Sequence, residues 1–505
     1  MKSKVKKAAV VIIILTLLSK GLGFIRELIL AYWFNASNYS DAYLLSSDII
    51  TILFGWLTSF SLVFTPIYSH EVVSKGRKAG VEYTRKLITL VGFISILAIV
   101  FTKIFSCQIV TVVAHGLSPD STELVSSYLR IAVLSVAFSA VSEILISYLN
   151  VCSMHIKANS LNLPFNLFEC LSIFVAGFFK HPELMVLGIV IGQLSKLIVG
   201  AIWTREDKVL KPTIANRADE SIHRTFAMFF PVFISSMLVE INTLVDKSFA
   251  SYLPDGSITI LNYGAVTRRF IFSIFSVLIT SILYPRVSKL LANNNRKELA
   301  PMLQKLYGYT LFAILPVTAV AIIYRREISS ILFVRGSFDE SYLNVLASVF
   351  AMYCVGLLFM ILNELNSKII YADGDPKTSM LVGIISIGAN IILDALLISK
   401  TGVIGLALAT SLSQLIIAPV YYIRVKRAAS QFFSMQLLRS FLPIVVSGLI
   451  AVIAVIICNK AFINNIPSDL GILITGTFIM FLAYLIVLAV SNNKVLRELY
   501  SEIKK

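Results

Sequence analysis

Three ionisable residues, Lys20, Arg26 and Glu27, lie inside the first long apolar stretch of the chain, which covers residues 8–34. A charge at the centre of a membrane helix costs at least about 2.5 kcal/mol, so such groups face a water-filled cavity or a partner. Guanidinium forks suit phosphate oxygens, and a lysine ammonium offers a point charge. The pattern predicts that Lys20 and Arg26 line a central cavity and hold an anionic group, with pyrophosphate as the candidate.

The spacing of the two cations restricts how they can act together. Positions six residues apart on a straight helix lie about 120° from eclipsing, so Lys20 and Arg26 would not aim at one point. The two glycines between them permit a bend or an unwound turn that could bring them together. The alternative is that Arg26 pairs with Glu27 or Asp48 and binds no ligand.

A second pair of cations follows the segment Asn262-Tyr-Gly264 in a later apolar run. Arg268 and Arg269 are adjacent, and adjacent side chains on a helix point about 100° apart. We expect one of them to face the cavity and bind pyrophosphate while the other pairs elsewhere.

Acidic residues also occur within the apolar runs. We predict Glu27, Asp41 and Asp246 to be cavity or gate acids, although Asp246 could form a plain ion pair with its neighbour Lys247. Four further acids are isolated, and any of them could carry a proton or bind sodium: Glu143, Glu169, Glu364 and Asp394. The excess of positive charge among the cavity candidates favours an anionic substrate.

Composition sets the class of protein to which these charges belong. The chain has 505 residues, of which 57% are hydrophobic and 14% are charged, whereas soluble domains carry about 25% charged residues. Repeated apolar runs of about twenty residues predict an all-α polytopic membrane protein with about 14 transmembrane helices. The first run is too long and too charged for a cleaved signal peptide, so we expect it to be retained.

Catalytic, metal-binding and nucleic-acid-binding signatures are lacking. The five cysteines are scattered without a C-x-x-C spacing, the five histidines are dispersed, and no P-loop or Rossmann fingerprint occurs. The net charge of +16 is explained by topology rather than by nucleic acid. We therefore expect no enzyme, no metal and no cofactor, with coupling to membrane potential or to a monovalent cation left open.

The distribution of cations between successive loops predicts the orientation. Lysine and arginine cluster in alternate loops, as in 75–86, 205–224 and 286–305, while the opposite loops hold few. By the positive-inside rule both termini are cytoplasmic. The predicted spans are 8–34, 41–68, 87–113, 122–150, 161–179, 184–204, 226–252, 259–287, 304–324, 341–369, 378–399, 403–423, 437–458 and 470–491.

An internal repeat divides these spans into two halves. Pro66-Ile-Tyr-Ser69 and the basic residues after it match Pro285-Arg-Val-Ser288 at a constant offset. Parallel repeats of this kind place a transporter's substrate site between the halves. The predicted domains are a six-span N-lobe at 1–204, a cytoplasmic linker at 205–225, a six-span C-lobe at 226–424, two further spans at 437–491 and a cytoplasmic tail at 492–505.

The chain resembles the MurJ/MviN lipid II flippase family, within the superfamily of multidrug/oligosaccharidyl-lipid/polysaccharide exporters. The resemblance runs through nearly all of the first twelve spans. The matching segments are Gly23-Phe-Ile-Arg-Glu27, Ser40-Asp-Ala-Tyr43, Val63-Phe-Thr-Pro66, Leu244-Val-Asp-Lys-Ser-Phe-Ala-Ser251, Leu253-Pro-Asp-Gly-Ser257 with Leu261-Asn-Tyr263, Leu332-Phe-Val-Arg-Gly336, Tyr371-Ala-Asp-Gly-Asp-Pro-Lys-Thr378 and Gly405-Leu-Ala-Leu-Ala-Thr410.

The resemblance implies a flippase that moves the undecaprenyl-pyrophosphate-linked peptidoglycan precursor to the outer leaflet by alternating access of two lobes. It also implies that basic cavity residues bind the pyrophosphate, that the last two helices form a groove for the lipid tail, and that membrane lipids and cell-wall synthesis proteins are candidate partners. By position, Arg26 and Asp41 match family residues, Lys20 stands where arginine is usual, and Glu27 replaces an aspartate.

The chain departs from the family pattern at two arginines. No arginine occurs at Ile52 or Leu53 in the second span, and the family's eighth-span arginine aligns with Val266, just before Arg268 and Arg269. A flippase for another lipid-linked polysaccharide unit is therefore an alternative. An ion-coupled multidrug antiporter, a membrane enzyme and a transport-inactive scaffold are further alternatives, although an acidic cavity or a catalytic constellation would be needed for the first two.

Overall fold

The computed structural model describes residues 2–216, 219–279, 287, 290–291, 296–373, 375–428, 435–461 and 466–491. The predicted tail at 492–505 and most of the predicted repeat segment at 285–288 lie outside these residues. The described part of the chain is helical, and no β-strand occurs in it. The fold class predicted from composition, an all-α membrane protein, is confirmed.

Eighteen α-helices are named here in chain order within the described residues. Their bounds are α1 Lys2–Phe34, α2 Asn38–Lys75, α3 Arg77–Val113, α4 Pro119–Ala132, α5 Ser135–Val151, α6 His155–Ser160, α7 Asn162–Phe179, α8 Leu184–Trp203, α9 Glu220–Ala250, α10 Ser257–Leu278, α11 Arg296–Ile323, α12 Arg325–Phe333, α13 Leu343–Val355, α14 Leu357–Ala372, α15 Pro376–Thr401, α16 Val403–Ala428, α17 Met435–Ala461 and α18 Asp469–Val490. Each predicted span overlaps one of these helices or a consecutive pair of them.

Membrane spans are recognisable by length and hydropathy in the described residues. Ten helical segments are long and apolar enough to cross a membrane, and α4 with α5, which meet at a bend of 44°, would make eleven. Of the helices that carry the candidate charges, α2 with Asp41 is among the ten, whereas α1, α9 and α10 are not.

Contacts group the chain into two units. The first unit is Met1–Thr259 with Arg335–Phe338, and the second is Ile260–Val334 with Asp339–Lys505. Helix α9 therefore groups with the six preceding spans. The boundary of the lobes at 205–225 stays a prediction.

An aromatic cluster explains why α9 belongs to the first unit. Phe229 of α9 stacks on Phe60 of α2 with ring centroids 4.2 Å apart, and Phe233 stacks on Phe229 at 5.7 Å. Trp56 contacts Phe229 edge-on at 5.9 Å. Buried aromatic side chains contribute large apolar areas together with specific ring geometry, so this face of α2 holds α9 firmly.

The segment that connects α8 to α9 is fastened to α3. Arg77 donates to both carboxylate oxygens of Asp207 at 3.0 Å, and the Lys86 ammonium lies 2.8 Å from Asp219. Asp219 also accepts from the backbone N–H of Ser221 at 3.1 Å and so caps the start of α9.

Acid pH is expected to weaken the contacts of Asp219 with Lys86 and Ser221. Burial alone would raise the pKa of Asp219, but hydrogen bonds from Lys86 and Ser221 outweigh burial and hold the pKa below its ordinary value of 3.8. A carboxyl with a depressed folded-state pKa stabilises the fold above its unfolded pKa, and that stabilisation is lost as pH falls through the folded value. Hydrogen-exchange protection at the start of α9, corrected for intrinsic rates, should decline below about pH 4.

The matched variant for this prediction is Asp219→Asn. It should reduce protection at the start of α9 already at neutral pH and should remove most of the further decline in acid. Full protection of the variant at neutral pH would contradict the assigned role of Asp219.

In the second unit the last two helices pack around Tyr324. Its hydroxyl donates to Asn459 Oδ1 of α17 at 2.8 Å. The Tyr484 hydroxyl of α18 donates to the backbone carbonyl of Phe312 at 3.1 Å. A Cβ at Gly476 of α18 would overlap the Tyr324 ring, so glycine lets α18 approach closely. The lipid-tail groove of 437–491 stays a prediction.

Candidate functional site

Arg26 lies between two carboxylates from different helices. Its Nη1 donates to Glu169 Oε2 of α7 at 2.8 Å. Its Nη2 and Nε donate to Glu27 Oε1 of the same helix at 2.5 and 3.2 Å. Of the two pairings left open by the sequence, the one with Glu27 is present, and Glu169 is an additional partner that the sequence did not reveal.

The charge of this cluster is unbalanced. The side chains of Glu27 and Glu169 are 1% and 2% exposed, and that of Arg26 is 24% exposed. One guanidinium and two ionised carboxylates sum to a formal charge of −1. In this conformation the surroundings of Arg26 therefore oppose the approach of an anion, and a bound pyrophosphate would require at least one carboxylate to be neutralised or moved.

Helix α1 is continuous through the two glycines near Lys20. Gly21 and Gly23 are helical, and the unwound turn that could have aimed Lys20 and Arg26 together is not present. Asn166 of α7 donates to Ser19 at 2.9 Å. Lys20 is exposed, and among the described residues no ion pair is recorded for it. The structure thus places Arg26 against α7 and does not bring Lys20 to the same carboxylates.

The adjacent arginines of α10 have different environments. Arg268 is buried, its guanidinium lies 4.8 Å from the ring centroid of Tyr353, and Nη1 is 3.3 Å from the sulfur of Met360. Arg269 is exposed. The expected divergence of the two side chains is observed, while the assignment of either to pyrophosphate stays a prediction.

Asp246 and Lys247 are adjacent in α9, but Lys247 has a partner on another helix. Lys247 forms an ion pair with Asp48 of α2 rather than with Asp246. The Lys247 side chain is 5% exposed and that of Asp48 is 26% exposed. Asp246 is buried. The Lys247–Asp48 pair neutralises a cation that the sequence had placed inside the membrane.

Asp41 binds the first turn of α10. Its carboxylate accepts from the backbone N–H groups of Gly256 and Thr259, both at 2.7 Å, and from the Thr259 hydroxyl at 2.5 Å. Helix N-termini leave N–H groups without intrahelical partners, and Asp41 satisfies two of them. Gly256 has a φ of +86°, and a Cβ there would lie 2.5 Å from the carbonyl oxygen of Ala36, so only glycine fits this turn.

Replacing Asp41 with alanine is expected to destabilise the protein by about 1–3 kcal/mol, because buried N–H groups at the start of α10 lose their acceptor. Thermal unfolding of the purified protein in detergent would measure the loss. The matched control is Asp339→Ala, which removes an acid that caps the exposed turn Glu340–Tyr342 by accepting from Ser341 N–H at 2.8 Å. An unfolding temperature of Asp41→Ala equal to that of the control would contradict the role.

The four acids that looked isolated in the sequence have recorded partners. Glu143 pairs with Lys196 at 2.6 Å, Glu364 pairs with Lys368 at 3.5 Å, and Asp394 accepts from Asn390 at 2.9 Å. The members of the Glu364–Lys368 pair are four residues apart on α14, and Asn390 and Asp394 are four residues apart on α15. This spacing could be recognised in the sequence. Glu169 and Glu143 meet their partners across long distances in the chain. In the described residues no group of three His, Cys, Asp or Glu side chains could hold a metal ion.

Comparisons with known proteins agree with this architecture. A family model described as "Lipid II flippase MurJ" matches residues 30–479. Arg268 and Arg269 lie within that match, and Lys20 and Arg26 precede it.

Three relatives described as "Probable lipid II flippase MurJ" illustrate the similarity in sequence. The Thermotoga maritima protein is 24% identical over 92% of this chain and 93% of its own length. The Rickettsia prowazekii protein is 25% identical over 81% of each chain. The protein of Helicobacter pylori strain J99 is 30% identical over 40% of this chain, and that match spans 44% of the relative.

Solved structures show the same fold. "Lipid II flippase MurJ, inward closed conformation" superposes with a TM-score of 0.82 at 23% identity, covering 98% of this chain and all of that one. An inward-facing multidrug resistance MATE transporter of the MOP superfamily gives a TM-score of 0.64 at 11% identity, covering 84% of this chain and 98% of that one.

Proposed function

The chain belongs to the lipid II flippase MurJ family, and on that premise we propose that it moves lipid II, an undecaprenyl-pyrophosphate-linked peptidoglycan precursor, from the inner to the outer leaflet of the membrane. The observation that carries the proposal is the family match over residues 30–479, on a chain that is helical in its described part and superposes on a MurJ structure along its length. The protein is a multi-pass membrane protein. The step is transport, and no covalent bond is made or broken.

Arg26 is the proposed anchor for the pyrophosphate. It is a partly exposed guanidinium within the first span, and its planar fork suits phosphate oxygens. Arg268 of α10 is the proposed second cation, because its guanidinium is buried and is held against the ring of Tyr353 in α13. Lys20 and Arg269, both exposed, are proposed to meet the head group at other stages of its passage.

The remaining parts of the proposal follow from topology. Loops rich in lysine and arginine alternate with loops that hold few of them, which supports cytoplasmic termini. Helices α17 and α18 pack together with α11 and would accommodate the lipid tail, with membrane lipids around them. Coupling to membrane potential or to a monovalent cation is part of the proposal, since moving one charge across 100 mV is worth about 2.3 kcal/mol. Cell-wall synthesis proteins are candidate partners.

Growth of cells depleted of their own lipid II flippase tests the proposal. The chain should sustain growth, and lipid II on the outer leaflet, detected with an externally added lipid II-cleaving enzyme, should return to normal amounts. Arg326→Ala, which changes an exposed cation at the start of α12, should behave like the unaltered chain. A chain that is inserted in the membrane in normal amount but leaves outer-leaflet lipid II at the depleted level would overturn the proposal.

A further inference from the structure

Glu169 and Glu27 bind different nitrogens of the Arg26 guanidinium, and they come from different helices. Glu27 is the next residue on α1, moves with Arg26, and engages Nε and Nη2 through one oxygen. Glu169 comes from α7 and engages Nη1. Arg26 is the cation recorded for Glu169 among the described residues. The guanidinium of Arg26 is thus bound by one carboxylate of its own helix, Glu27, and by one carboxylate of another helix, Glu169.

The geometry of Glu169 imitates an anionic ligand. A carboxylate oxygen 2.8 Å from Nη1 occupies the distance and direction that a phosphate oxygen would take on the same nitrogen. Asn166, one turn earlier on α7, is bonded to Ser19 at 2.9 Å, so α7 is held against α1 next to this contact. Glu169 therefore occupies the nitrogen of Arg26 to which a phosphate oxygen could bind.

The charge of the cluster makes the two anions mutually exclusive. Four titratable side chains surround Glu169: Arg26 and Glu27 of α1, Tyr43 of α2 and Cys170 of α7. Arg26 is the cation of this set. With Glu27 and Glu169 both ionised the set already has a surplus negative charge, and a pyrophosphate would add more at the same nitrogen.

We propose that Glu169 is a placeholder for the substrate, a positioning residue whose carboxylate keeps Arg26 in place and yields it to the pyrophosphate of the incoming lipid head. The proposal rests on the proposed function and deepens it, since it names a competitor at the same site. Glu169 sets a threshold: an anion must displace a carboxylate from Arg26, and a neutral or cationic head group cannot do so.

Two consequences distinguish a placeholder from a structural acid. Removing the charge of Glu169 should strengthen the binding of a pyrophosphate, whereas removing a structural ion pair would weaken binding or leave it unchanged. Protonation of Glu169 should have the same effect, so binding to the unaltered chain should strengthen as pH falls. The Glu169→Gln variant keeps the shape of the side chain and should show a flatter dependence on pH.

The experiment measures binding of a short-chain isoprenyl pyrophosphate diester to the full-length protein in detergent between pH 5.5 and 8. Both phosphates of a diester stay fully ionised in this range, so changes with pH report on the protein. Glu169→Gln should bind the probe about tenfold more tightly at pH 8, which corresponds to about 1.4 kcal/mol. Its unfolding temperature should stay close to that of the unaltered chain.

The matched control replaces both members of the buried Lys196–Glu143 pair of the same unit by glutamine, so that no buried charge is left without its partner. It should leave affinity for the probe unchanged. If the unaltered chain binds the probe, Arg26→Gln weakens binding and Glu169→Gln fails to strengthen it, the placeholder role is refuted and the proposed function stands. If the unaltered chain does not bind the probe, and Glu169→Gln does not either, the pyrophosphate site on Arg26 is itself refuted.

Discussion

Translocation of lipid II is expected to fall at least about tenfold when Arg26 and Glu169 are both replaced by glutamine, because hydrogen bonds to a charged group contribute about 1.5–3 kcal/mol and each 1.4 kcal/mol is a factor of ten. The double change is preferable to Arg26→Ala, which would leave two buried carboxylates without their cation. The measurement is outer-leaflet lipid II in flippase-depleted cells, normalised to the amount of protein in the membrane.

A second pair of variants separates loss of a cation from loss of an ion pair. Lys196→Gln with Glu143→Gln removes another long-range pair of the first unit and should retain most translocation. Arg26→Lys should be intermediate, because lysine keeps the charge but loses the planar fork. Normal translocation by the Arg26/Glu169 double variant would refute the assignment of Arg26.

Breaking the Asp48–Lys247 ion pair is expected to reduce the stability of the protein more than any other change considered. Asp48→Asn would leave the ammonium of Lys247, whose side chain is 5% exposed, without its carboxylate. Breaking a buried pair by removing one partner costs about 3–5 kcal/mol, whereas replacing both partners by neutral side chains is often tolerated. We expect Asp48→Asn to lower the unfolding temperature and the yield of folded protein, and Asp48→Asn with Lys247→Met to recover most of both.

The Glu364–Lys368 pair offers a control of the same chemistry whose side chains are more exposed than that of Lys247. Its side chains are 26% and 33% exposed and their charged atoms are 3.5 Å apart. Exposed pairs contribute about 0–1 kcal/mol, so Glu364→Gln should change stability little. Equal losses for Asp48→Asn and Glu364→Gln, or a double variant no better than Asp48→Asn, would contradict the role of the Asp48–Lys247 pair.

The amino-acid pattern predicted helices and their class well because apolar length is a local property. It also located the charges, since a charge inside an apolar run is visible without knowing its neighbours. The partners of these charges could not be predicted from the sequence. Arg26 meets Glu169 across 143 residues, and Lys247 meets Asp48 across 199. No spacing rule connects such positions, because the pairing depends on which helices pack together.

Adjacent residues were also a misleading guide. Asp246 and Lys247 are neighbours in the chain, but on a helix their side chains diverge by about 100°, so Lys247 turns to α2 instead. The same divergence separates Arg268 from Arg269, and there it was predicted. Helix α9 shows the limit of reasoning from repeats: the offset between repeated segments says nothing about the Phe60–Phe229 stack that groups α9 with the first unit.

The Phe60–Phe229 stack determines which fragments of the protein are suitable for separate expression. A fragment that stops at residue 216 would lose α9 and uncover Phe60 and Trp56, creating an apolar strip that invites aggregation during expression. A fragment that continues to Thr259 keeps the strip covered and retains the Asp41 bonds to the start of α10. A fragment that represents the first unit should therefore extend at least to Thr259.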